Sequence, residues 1–183
     1  NSNVKNFELQ GKTLGVIGVG RVGSYTARIG KGLGMKIIGN DIDPKVRQKN
    51  KWIKFSSLNY LLANSDVITL HVPLDDSTRN MINGGNLKLL NKNSMLINCS
   101  SGGTVNEKSL IRTLKKGKIR YGGIDVFGKE PGFDKGFTKL ENVILTPHLA
   151  GKTVESRIRM SIQTAGNISK YYKGNRNTLK FVN

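Results

Sequence analysis

The chain has little cysteine and no long apolar run, and these two shortages exclude several classes of protein. Its one cysteine, Cys99, cannot form an internal disulfide, and no Cys-x-x-Cys pair suggests a zinc site. No stretch approaches the roughly 18 consecutive apolar residues of a membrane-spanning helix, and no signal peptide is visible after Asn1. We therefore expect a cytoplasmic protein with no membrane partner and no metal.

Acidic residues are also scarce. Twelve Asp and Glu stand against 30 Lys and Arg, which gives a net charge of +18. Basic clusters lie at Lys45–Lys54 and Lys115–Arg120, and such clusters can attract nucleic acid or other polyanions. Both are short and separated, which favours solvated faces. Polyanion binding is a minor alternative, and we expect no nucleic-acid partner.

Apolar runs alternate with helical patterns along the chain, and neither an internal repeat nor an interdomain linker is visible. The length of 183 residues suits one domain covering residues 1–183. Continuous apolar strands between amphipathic helices indicate parallel strands covered on both faces. The sequence thus predicts an α/β fold, a doubly wound parallel sheet of the Rossmann type. The predicted strands are Thr13–Gly18, Lys36–Asn40, Asp66–Leu70, Ser94–Asn98, Tyr121–Asp125 and Asn142–Leu145.

Polar residues that cap helices precede three of the predicted helices. Ser57 and Asn106 each stand before a short helix, and Thr153 stands before the longest one. In this last helix, apolar residues recur on one face at steps of three and four. A further helix runs from Val22 to about Gly32, and Gly174–Asn183 is expected to be a polar, extended tail.

A glycine-rich turn follows the first predicted strand and opens a helix. The pattern is Gly18-x-Gly20-x-x-Gly23, with Arg21 and Val22 inside it. Gly18 allows the tight turn, Gly20 lets a pyrophosphate approach the backbone, and Gly23 permits close packing of helix on strand. The amides and positive dipole of the helix N-terminus would hold the phosphates, and Arg21 could add charge.

An acidic residue stands at the distance that a dinucleotide site requires. Asp41 ends the second strand about 20 residues after the turn, where a carboxylate can accept both hydroxyls of the adenosine ribose. Such an acid repels a 2′-phosphate, so the sequence predicts NAD rather than NADP. Asp43 is the rival position, although it lies past the strand end and precedes Pro44.

Five motifs in collinear order resemble those of the D-isomer-specific 2-hydroxyacid dehydrogenases, in particular phosphoglycerate dehydrogenase-like members. The resemblance covers nearly the whole chain. It is carried by Glu8–Gly18, Ser65–Leu74, Leu96–Gly103, Gly123–Pro131 and Leu145–Gly151. The resemblance implies an NAD-dependent oxidoreductase that exchanges a hydride between nicotinamide and a small D-2-hydroxy or 2-oxo acid.

The resemblance also implies roles for individual residues. His148 matches the histidine that gives or takes the hydroxyl proton, and Glu130 matches the carboxylate that raises its pKa and orients it. Asp125 resembles the acid that faces the nicotinamide carboxamide. The remaining matches line the cofactor: His71, Val72 and Pro73 in one loop, Cys99 and Ser100 in another, and Gly151 beside His148.

Two of these residues have simpler interpretations when they are taken alone. His71 follows a strand and could simply form a hydrogen bond with the backbone. Cys99 could be a small buried apolar residue at a strand end. By contrast, His148 lies in a loop after Pro147, where a catalytic role is favoured over core packing.

Two departures from the family pattern leave a second function open. Ser101 stands where the family has the arginine that binds the substrate carboxylate, and a hydroxyl cannot replace a bidentate guanidinium. The family's substrate domain, mainly about 100 residues before the cofactor domain, is largely absent from this sequence. The alternative is a non-catalytic NAD(H)-binding or dimerisation module. Since family members usually dimerise through the cofactor domain, a homodimer is expected.

Overall fold

The computed structural model describes residues 7–174. The chain divides into two compact units, whose described parts are residues 7–147 and 148–174. The expectation of a single domain stays a prediction. The predicted tail lies outside the described residues from position 175 onward.

The first unit is built on one sheet of seven parallel strands in the order β3-β2-β1-β4-β5-β6-β7. The strand order reverses direction at β1, which is the topological switch point of a doubly wound sheet, so the predicted fold is confirmed. The strands are β1 (Thr13–Ile17), β2 (Lys36–Asn40), β3 (Lys54–Phe55), β4 (Val67–Leu70), β5 (Met95–Asn98), β6 (Tyr121–Ile124) and β7 (Val143–Leu145).

Within residues 7–174, four α-helices belong to the first unit and one to the second. They are α1 (Arg21–Gly32), α2 (Pro44–Lys49), α3 (Leu58–Asn64), α4 (Glu107–Lys115) and, in the second unit, α5 (Val154–Tyr172). All three predicted caps are confirmed: Ser57, Asn106 and Thr153 each accept a hydrogen bond from the amide three residues on. Among the described α-helices and strands, the sequence does not predict α2 and β3, because a six-residue helix and a two-residue strand carry no usable apolar periodicity.

The core lies on both faces of the sheet because successive side chains of a strand point to opposite sides. On β1, Leu14 and Val16 join a cluster that includes Ala27 of α1. Ile17 joins the larger cluster that contains Leu61 of α3, together with the buried leucines of α4. Burying each such side chain contributes roughly 1.5–3 kcal/mol, so these two layers hold the carboxyl ends of the strands in place.

The second unit consists of a loop and the long helix α5. The helix begins at Val154, directly after the predicted cap Thr153. The predicted apolar positions of α5 are exposed: Ile158 and Ile168 are each 54% exposed, and Ile162 is 68% exposed. The helix itself is therefore confirmed, and its apolar face is exposed.

Candidate active site at the carboxyl edge of the sheet

The chain turns sharply at Gly18, one residue after β1 ends. Gly18 has φ +82°, a left-handed conformation that glycine adopts without steric penalty. A Cβ at this position would lie 2.7 Å from the carbonyl oxygen of His71, which follows β4. Glycine is therefore required at position 18 for two reasons: the left-handed backbone angle and the close approach of the residue that follows β4.

The other two glycines of the turn differ in what surrounds them. A Cβ at Gly23 would lie 1.9 Å from the carbonyl oxygen of Gly18, so α1 packs directly on the turn. A Cβ at Gly20 would meet nothing within 4 Å, and the space beyond it is open. Arg21 and Val22 begin α1 and are exposed, and the first turn carries no acidic residue. An anion can therefore approach the amides of this helix N-terminus.

Asp41 connects the end of β2 to the glycine turn. Its Oδ2 accepts a 2.7 Å hydrogen bond from the amide of Val19, and its Oδ1 accepts one of 2.9 Å from the amide of Asp43. Each carboxylate oxygen can accept a further hydrogen bond, so both remain able to receive ribose hydroxyls. Asp43, the rival candidate, instead caps α2 by accepting a 2.8 Å hydrogen bond from the amide of Lys45.

A cavity of about 500 Å³ lies beside Asp41, where β2 and β3 end. Its volume lies within the roughly 300–1,000 Å³ of small-molecule and cofactor sites. Arg47 of α2 is held there by a 3.1 Å hydrogen bond from Nη2 to the carbonyl of Ile42. Sequence reasoning missed Arg47 because it missed α2, although Asp43 followed by Pro44 is a recognisable helix start. The lining residues are Asn40, Asp41, Ile42, Arg47, Phe55, Ser56 and Ser57.

His71 follows β4 and is held against the end of β1. Its amide donates a 2.7 Å hydrogen bond to the carbonyl of Ile17, and its ring Nε2 lies 3.1 Å from Oγ1 of Thr69. Partial burial lowers the pKa of His71, so the neutral imidazole is favoured. The ring nitrogen Nε2 thus has a side-chain partner, and a role for His71 beside the cofactor stays a prediction. Val72 is half-buried against the core and Pro73 is exposed.

Asn98, the last residue of β5, organises the loop that carries the next group of predicted site residues. Its Oδ1 accepts hydrogen bonds from the amide and the hydroxyl of Ser100, at 3.1 and 2.9 Å. Its Nδ2 donates to the carbonyl of Ser101 at 3.1 Å. Thr104 also donates from its hydroxyl to that carbonyl, at 2.6 Å. Sequence reasoning missed Asn98; the available signal was a polar residue at the end of an apolar strand.

Asp125 lies just past β6 and is only 3% exposed. Its amide donates to the carbonyl of Asn98, and its carboxylate accepts a hydrogen bond from the hydroxyl of Thr146.

Cys99 is exposed, so the simpler interpretation of a buried apolar residue is wrong. Partial burial of its thiol and, secondarily, the negative charge of Asp125 raise the pKa of Cys99. The thiol form is therefore favoured at neutral pH, which suits a lining residue rather than a nucleophile.

Glu130 lies in the loop that follows β6, and its side chain closes that loop. Its Oε1 accepts a 2.9 Å hydrogen bond from the amide of Phe127. Glu107, at the start of α4, accepts a 2.7 Å hydrogen bond from the amide of Gly128. A Cβ at Gly102 would lie 1.9 Å from the carbonyl carbon of Phe127. The structure thus brings the loop after Ser101 into contact with the loop that carries Glu130.

His148 and Gly151 belong to the second unit and are exposed. His148 has φ +54°, a conformation that is uncommon outside glycine and that clusters at functional sites. Gly151 has open space where a side chain would be. Because Glu130 lies in the first unit, the pairing of His148 with Glu130 stays a prediction, as do the other site roles.

Residues 7–174 contain no group of three or more His, Cys, Asp or Glu arranged to hold a metal ion. In the same range, none of the helices combines the length and apolar character needed to cross a membrane.

Comparison with known proteins identifies the domain that carries this site. Residues 1–150 match the family description "D-isomer specific 2-hydroxyacid dehydrogenase, NAD binding domain". The chain is 41% identical over 172 residues to D-3-phosphoglycerate dehydrogenase of Methanocaldococcus jannaschii, covering 93% of this chain and 33% of that protein. It is 40% identical over 169 residues to glyoxylate reductase of Aeropyrum pernix, covering 91% of this chain and 50% of that protein.

Solved structures resemble this one over nearly its whole length. D-lactate dehydrogenase from Aquifex aeolicus, in complex with NAD and lactic acid, matches with a TM-score of 0.84 and 34% identity, covering 97% of this chain and 58% of that chain. D-lactate dehydrogenase from Lactobacillus jensenii, with NAD+, matches with a TM-score of 0.89 and 28% identity, covering 100% of this chain and 59% of that chain. The chain therefore spans between a third and three fifths of the length of these relatives.

Proposed function

Since the chain belongs to the D-isomer-specific 2-hydroxyacid dehydrogenase family through its NAD-binding domain, we propose that it takes part in hydride transfer between NAD(H) and a small D-2-hydroxy acid. NAD is the cofactor of this domain. In the forward direction a D-2-hydroxy acid and NAD+ give the 2-oxo acid, NADH and a proton. One observation carries the proposal: the open space beyond Gly20 lies at the same sheet edge as the loops of Ser101 and Glu130.

The residues at the glycine turn fit the adenosine and pyrophosphate parts of NAD. The amides at the start of α1 would hold the pyrophosphate, because nothing blocks the approach past Gly20. Asp41 would accept the ribose hydroxyls with the acceptor capacity that Val19 and Asp43 leave unused. His71, Val72, Cys99 and Ser100 would line the cofactor from the ends of β4 and β5.

The residues near the nicotinamide end would handle the proton and the orientation of the ring. Bound NAD supplies or accepts the hydride at its nicotinamide ring. Asp125 would accept a hydrogen bond from the nicotinamide carboxamide, and Gly151 would line the site. His148 would take the proton from the substrate hydroxyl during oxidation and return it during reduction. Glu130 would orient the imidazole of His148 and favour its protonated form.

Ser101 limits what this chain can do with a carboxylate substrate. The family's arginine at this position binds the substrate carboxylate and polarises the keto oxygen, whereas a serine hydroxyl carries no charge. Losing one such contact commonly costs about 2.7–4 kcal/mol of transition-state stabilisation. We therefore expect little turnover of any 2-oxo acid by this chain as it stands.

The experiment compares turnover by the wild-type chain with turnover by three variants. NADH oxidation is followed with glyoxylate, hydroxypyruvate and phosphohydroxypyruvate, using the full product of the gene. In the full gene product, Ser101→Arg should raise kcat/KM at least about a hundredfold. The uncharged polar control Ser101→Gln should not, and adding His148→Gln to Ser101→Arg should remove the gain.

Two outcomes would contradict the proposed function. One is that Ser101→Arg fails to produce turnover of any of the three acids although NADH still binds. The other is that His148→Gln leaves the turnover of the arginine variant unchanged. The first outcome would favour the alternative, a non-catalytic NAD(H)-binding or dimerisation module, for which neither the family match nor the relatives provide support.

We further propose that the chain forms a homodimer through the outer face of α1. Val22, Tyr25 and Ile29 are each 66% exposed, and Leu33 is 52% exposed. They follow one another at steps of three and four, so they form an apolar stripe opposite the buried face of the helix. Ile29→Asp should convert a dimer into a monomer in sedimentation analysis. The control Lys31→Asp should leave the dimer intact, and a wild-type monomer would contradict the proposal.

We also propose that the protein is located in the cytoplasm. The chain carries one thiol, that of Cys99, and no disulfide is formed. Small domains stabilised for an oxidising compartment usually carry several disulfides. The reaction also uses a dinucleotide that the cytoplasm supplies. Detection of the tagged protein in a secreted fraction would contradict this location.

A further inference from the structure

A second cavity, of about 250 Å³, lies away from the glycine turn. Four positively charged side chains line it: Lys88, Arg112, Lys116 and Lys118. We refer to these four residues and the cavity they line as the basic pocket. Lys88 comes from a short 3-10 helix at Leu87–Leu89, and the other three come from α4 and the residues that follow it.

The basic pocket lies along the flank of α4, from Ser109 in the first turn to Lys118 beyond the helix end, and shares no lining residue with the cavity beside Asp41. β5 leads to the cofactor edge, and α4 then begins at Glu107 and runs back along the sheet. The segment after α4 returns to the start of β6, where the amide of Arg120 donates to the carbonyl of Ser94. A ligand in the basic pocket would therefore not overlap the dinucleotide.

The chain reverses at the end of α4, next to two lysines that line the basic pocket. Gly117 has φ +59° and donates from its amide to the carbonyl of Leu114. The amide of Lys118 donates to the carbonyl of Thr113 at 3.1 Å. This pair of bonds is the Schellman arrangement, in which a left-handed glycine reverses the chain over the last helical turn. Lys116 and Lys118 are thereby placed around the same opening by backbone geometry.

Arg112 is held in position before any ligand arrives. Its Nη2 donates a 3.0 Å hydrogen bond to Oγ of Ser109. Ser109 is buried, and its amide is bonded at 3.0 Å to Oδ1 of the capping residue Asn106. Gly84 lies close by, since a Cβ there would be 3.3 Å from Oγ of Ser109. The guanidinium therefore loses less conformational freedom on binding a ligand than an untethered side chain would.

The charge of the basic pocket is not balanced by its own lining. The residues that line it include no Asp or Glu, and the remaining ones are Gly84, Leu87, Ser109 and Thr113. The carboxyl end of α4 contributes only about half a negative charge. Four cations around one opening therefore produce a strongly positive potential, which concentrates anions there.

We propose that the basic pocket binds a small phosphate-bearing anion at a site distinct from the cofactor site. Arg and Lys together suit this chemistry, because a guanidinium binds phosphate in a bidentate manner and an ammonium acts as a point charge. The volume is below the roughly 300–1,000 Å³ of sites that enclose drug-sized ligands. It suits a phosphate or pyrophosphate group rather than a dinucleotide. The lining also has no aromatic side chain on which a nucleic-acid base could stack.

The test measures binding of inorganic pyrophosphate by titration calorimetry, with NADH in excess so that the glycine turn does not contribute. The double variant Lys116→Gln, Lys118→Gln should weaken binding at least about tenfold, because each lost charge-assisted hydrogen bond to phosphate is strong. The control Lys51→Gln, Lys139→Gln removes the same charge from two exposed positions outside the lining. It should change the affinity less than about threefold, since exposed charges at a distance are screened.

Amide chemical shifts locate the bound anion independently of the variants. Pyrophosphate should move the resonances of Arg112, Gly117 and Lys118 in the presence of NADH, and leave those of Gly18 and Gly20 in place. The proposal is overturned if wild-type chain does not bind pyrophosphate at millimolar concentration. It is equally overturned if the two double variants lose affinity to the same extent, which would indicate net charge rather than a site.

Discussion

The amide of Gly128 donates a 2.7 Å hydrogen bond to Oε1 of Glu107, although the two residues are 21 positions apart. Glu107 is the first residue of α4, and Gly128 lies in the same loop after β6 as Glu130. Gly102 packs against the same loop, with no room for a side chain. A single carboxylate therefore joins the start of a helix to the loop that carries the proposed partner of His148.

Substitution of Glu107 should separate its role as a hydrogen-bond acceptor from its charge. Glu107→Ala removes the acceptor and a favourable negative charge at a helix N-terminus, so it should lower the free energy of unfolding by about 1.5 kcal/mol. Glu107→Gln keeps an acceptor oxygen, so the loss should be about 0.5 kcal/mol. Urea unfolding measures both. Equal losses in the two variants would show that the contact with Gly128 contributes nothing.

Two glycines of the turn should respond differently to substitution by alanine. Gly23→Ala should destabilise the fold by about 3 kcal/mol or more, because the new methyl group collides with the backbone oxygen of Gly18. Gly20→Ala should lower the free energy of unfolding by about 1 kcal/mol or less, since the space there is open. Its effect should be on NADH, whose affinity should fall at least about tenfold because the methyl group occupies the approach to the helix amides.

Thermal unfolding and calorimetry with NADH test this pair of glycine variants. A stable Gly23→Ala variant would mean that α1 does not pack on the turn as described. Unchanged NADH affinity in Gly20→Ala would remove the argument that the pyrophosphate passes this residue.

Asp41 should determine the preference for NADH over NADPH. The wild-type chain should bind NADH more tightly, because the carboxylate accepts ribose hydroxyls and repels a 2′-phosphate. Asp41→Asn keeps one oxygen for the amide of Val19 but loses the charge, so the ratio of the two affinities should fall at least about tenfold. Titration calorimetry measures the ratio. Equal affinities of the wild-type chain for the two cofactors would disprove this role.

His71 should make the fold sensitive to mild acid. Partial burial lowers the pKa of His71 from its ordinary value of 6.5, so the unfolded state binds a proton at higher pH than the folded state. The stabilising contribution of the neutral ring is therefore present above pH 6.5. It is lost progressively as the pH falls from 6.5 through the lower pKa of the folded state.

Denaturant unfolding at pH 7.5 and pH 5 tests the sign of this dependence. His71→Gln keeps a polar side chain that does not titrate, so it should lose less stability between the two pH values than the wild-type chain. The difference between the two proteins isolates His71 from Asp75, whose pKa is lowered chiefly by a hydrogen bond from the side chain of Ser77. Parallel losses in the two proteins would contradict the assignment to His71.

Local patterns made most of the fold predictable. Apolar runs located six of the seven described strands, and capping residues marked the starts of three helices, because both signals depend on neighbours within a few positions. The spacing of Gly18, Gly20 and Gly23 indicated a dinucleotide site for the same reason. The short elements α2 and β3 could not be predicted, because segments of six and two residues are too short to show a periodic pattern of apolar residues.

Contacts between distant residues could not be predicted in this way. The sequence offers both Asp41 and Asp43 as the acid that binds ribose. The structure distinguishes them, because Asp41 is bonded to the glycine turn whereas Asp43 caps α2. Asn98 looked like an ordinary strand residue, yet both ends of its amide organise the loop of Ser100 and Ser101.

The basic pocket depends both on the sequence and on the tertiary structure. The sequence by itself determined that Lys115–Arg120 is a basic cluster, that the chain folds as a doubly wound sheet, and that Gly18 and Asp41 stand at the spacing of an NAD site. Only the tertiary structure brought Lys88 to the same opening as Lys116 and Lys118, and Glu107 to Gly128. The physical reason is that propensity and periodicity act over one or two turns of chain, whereas packing decides which distant segments share a surface.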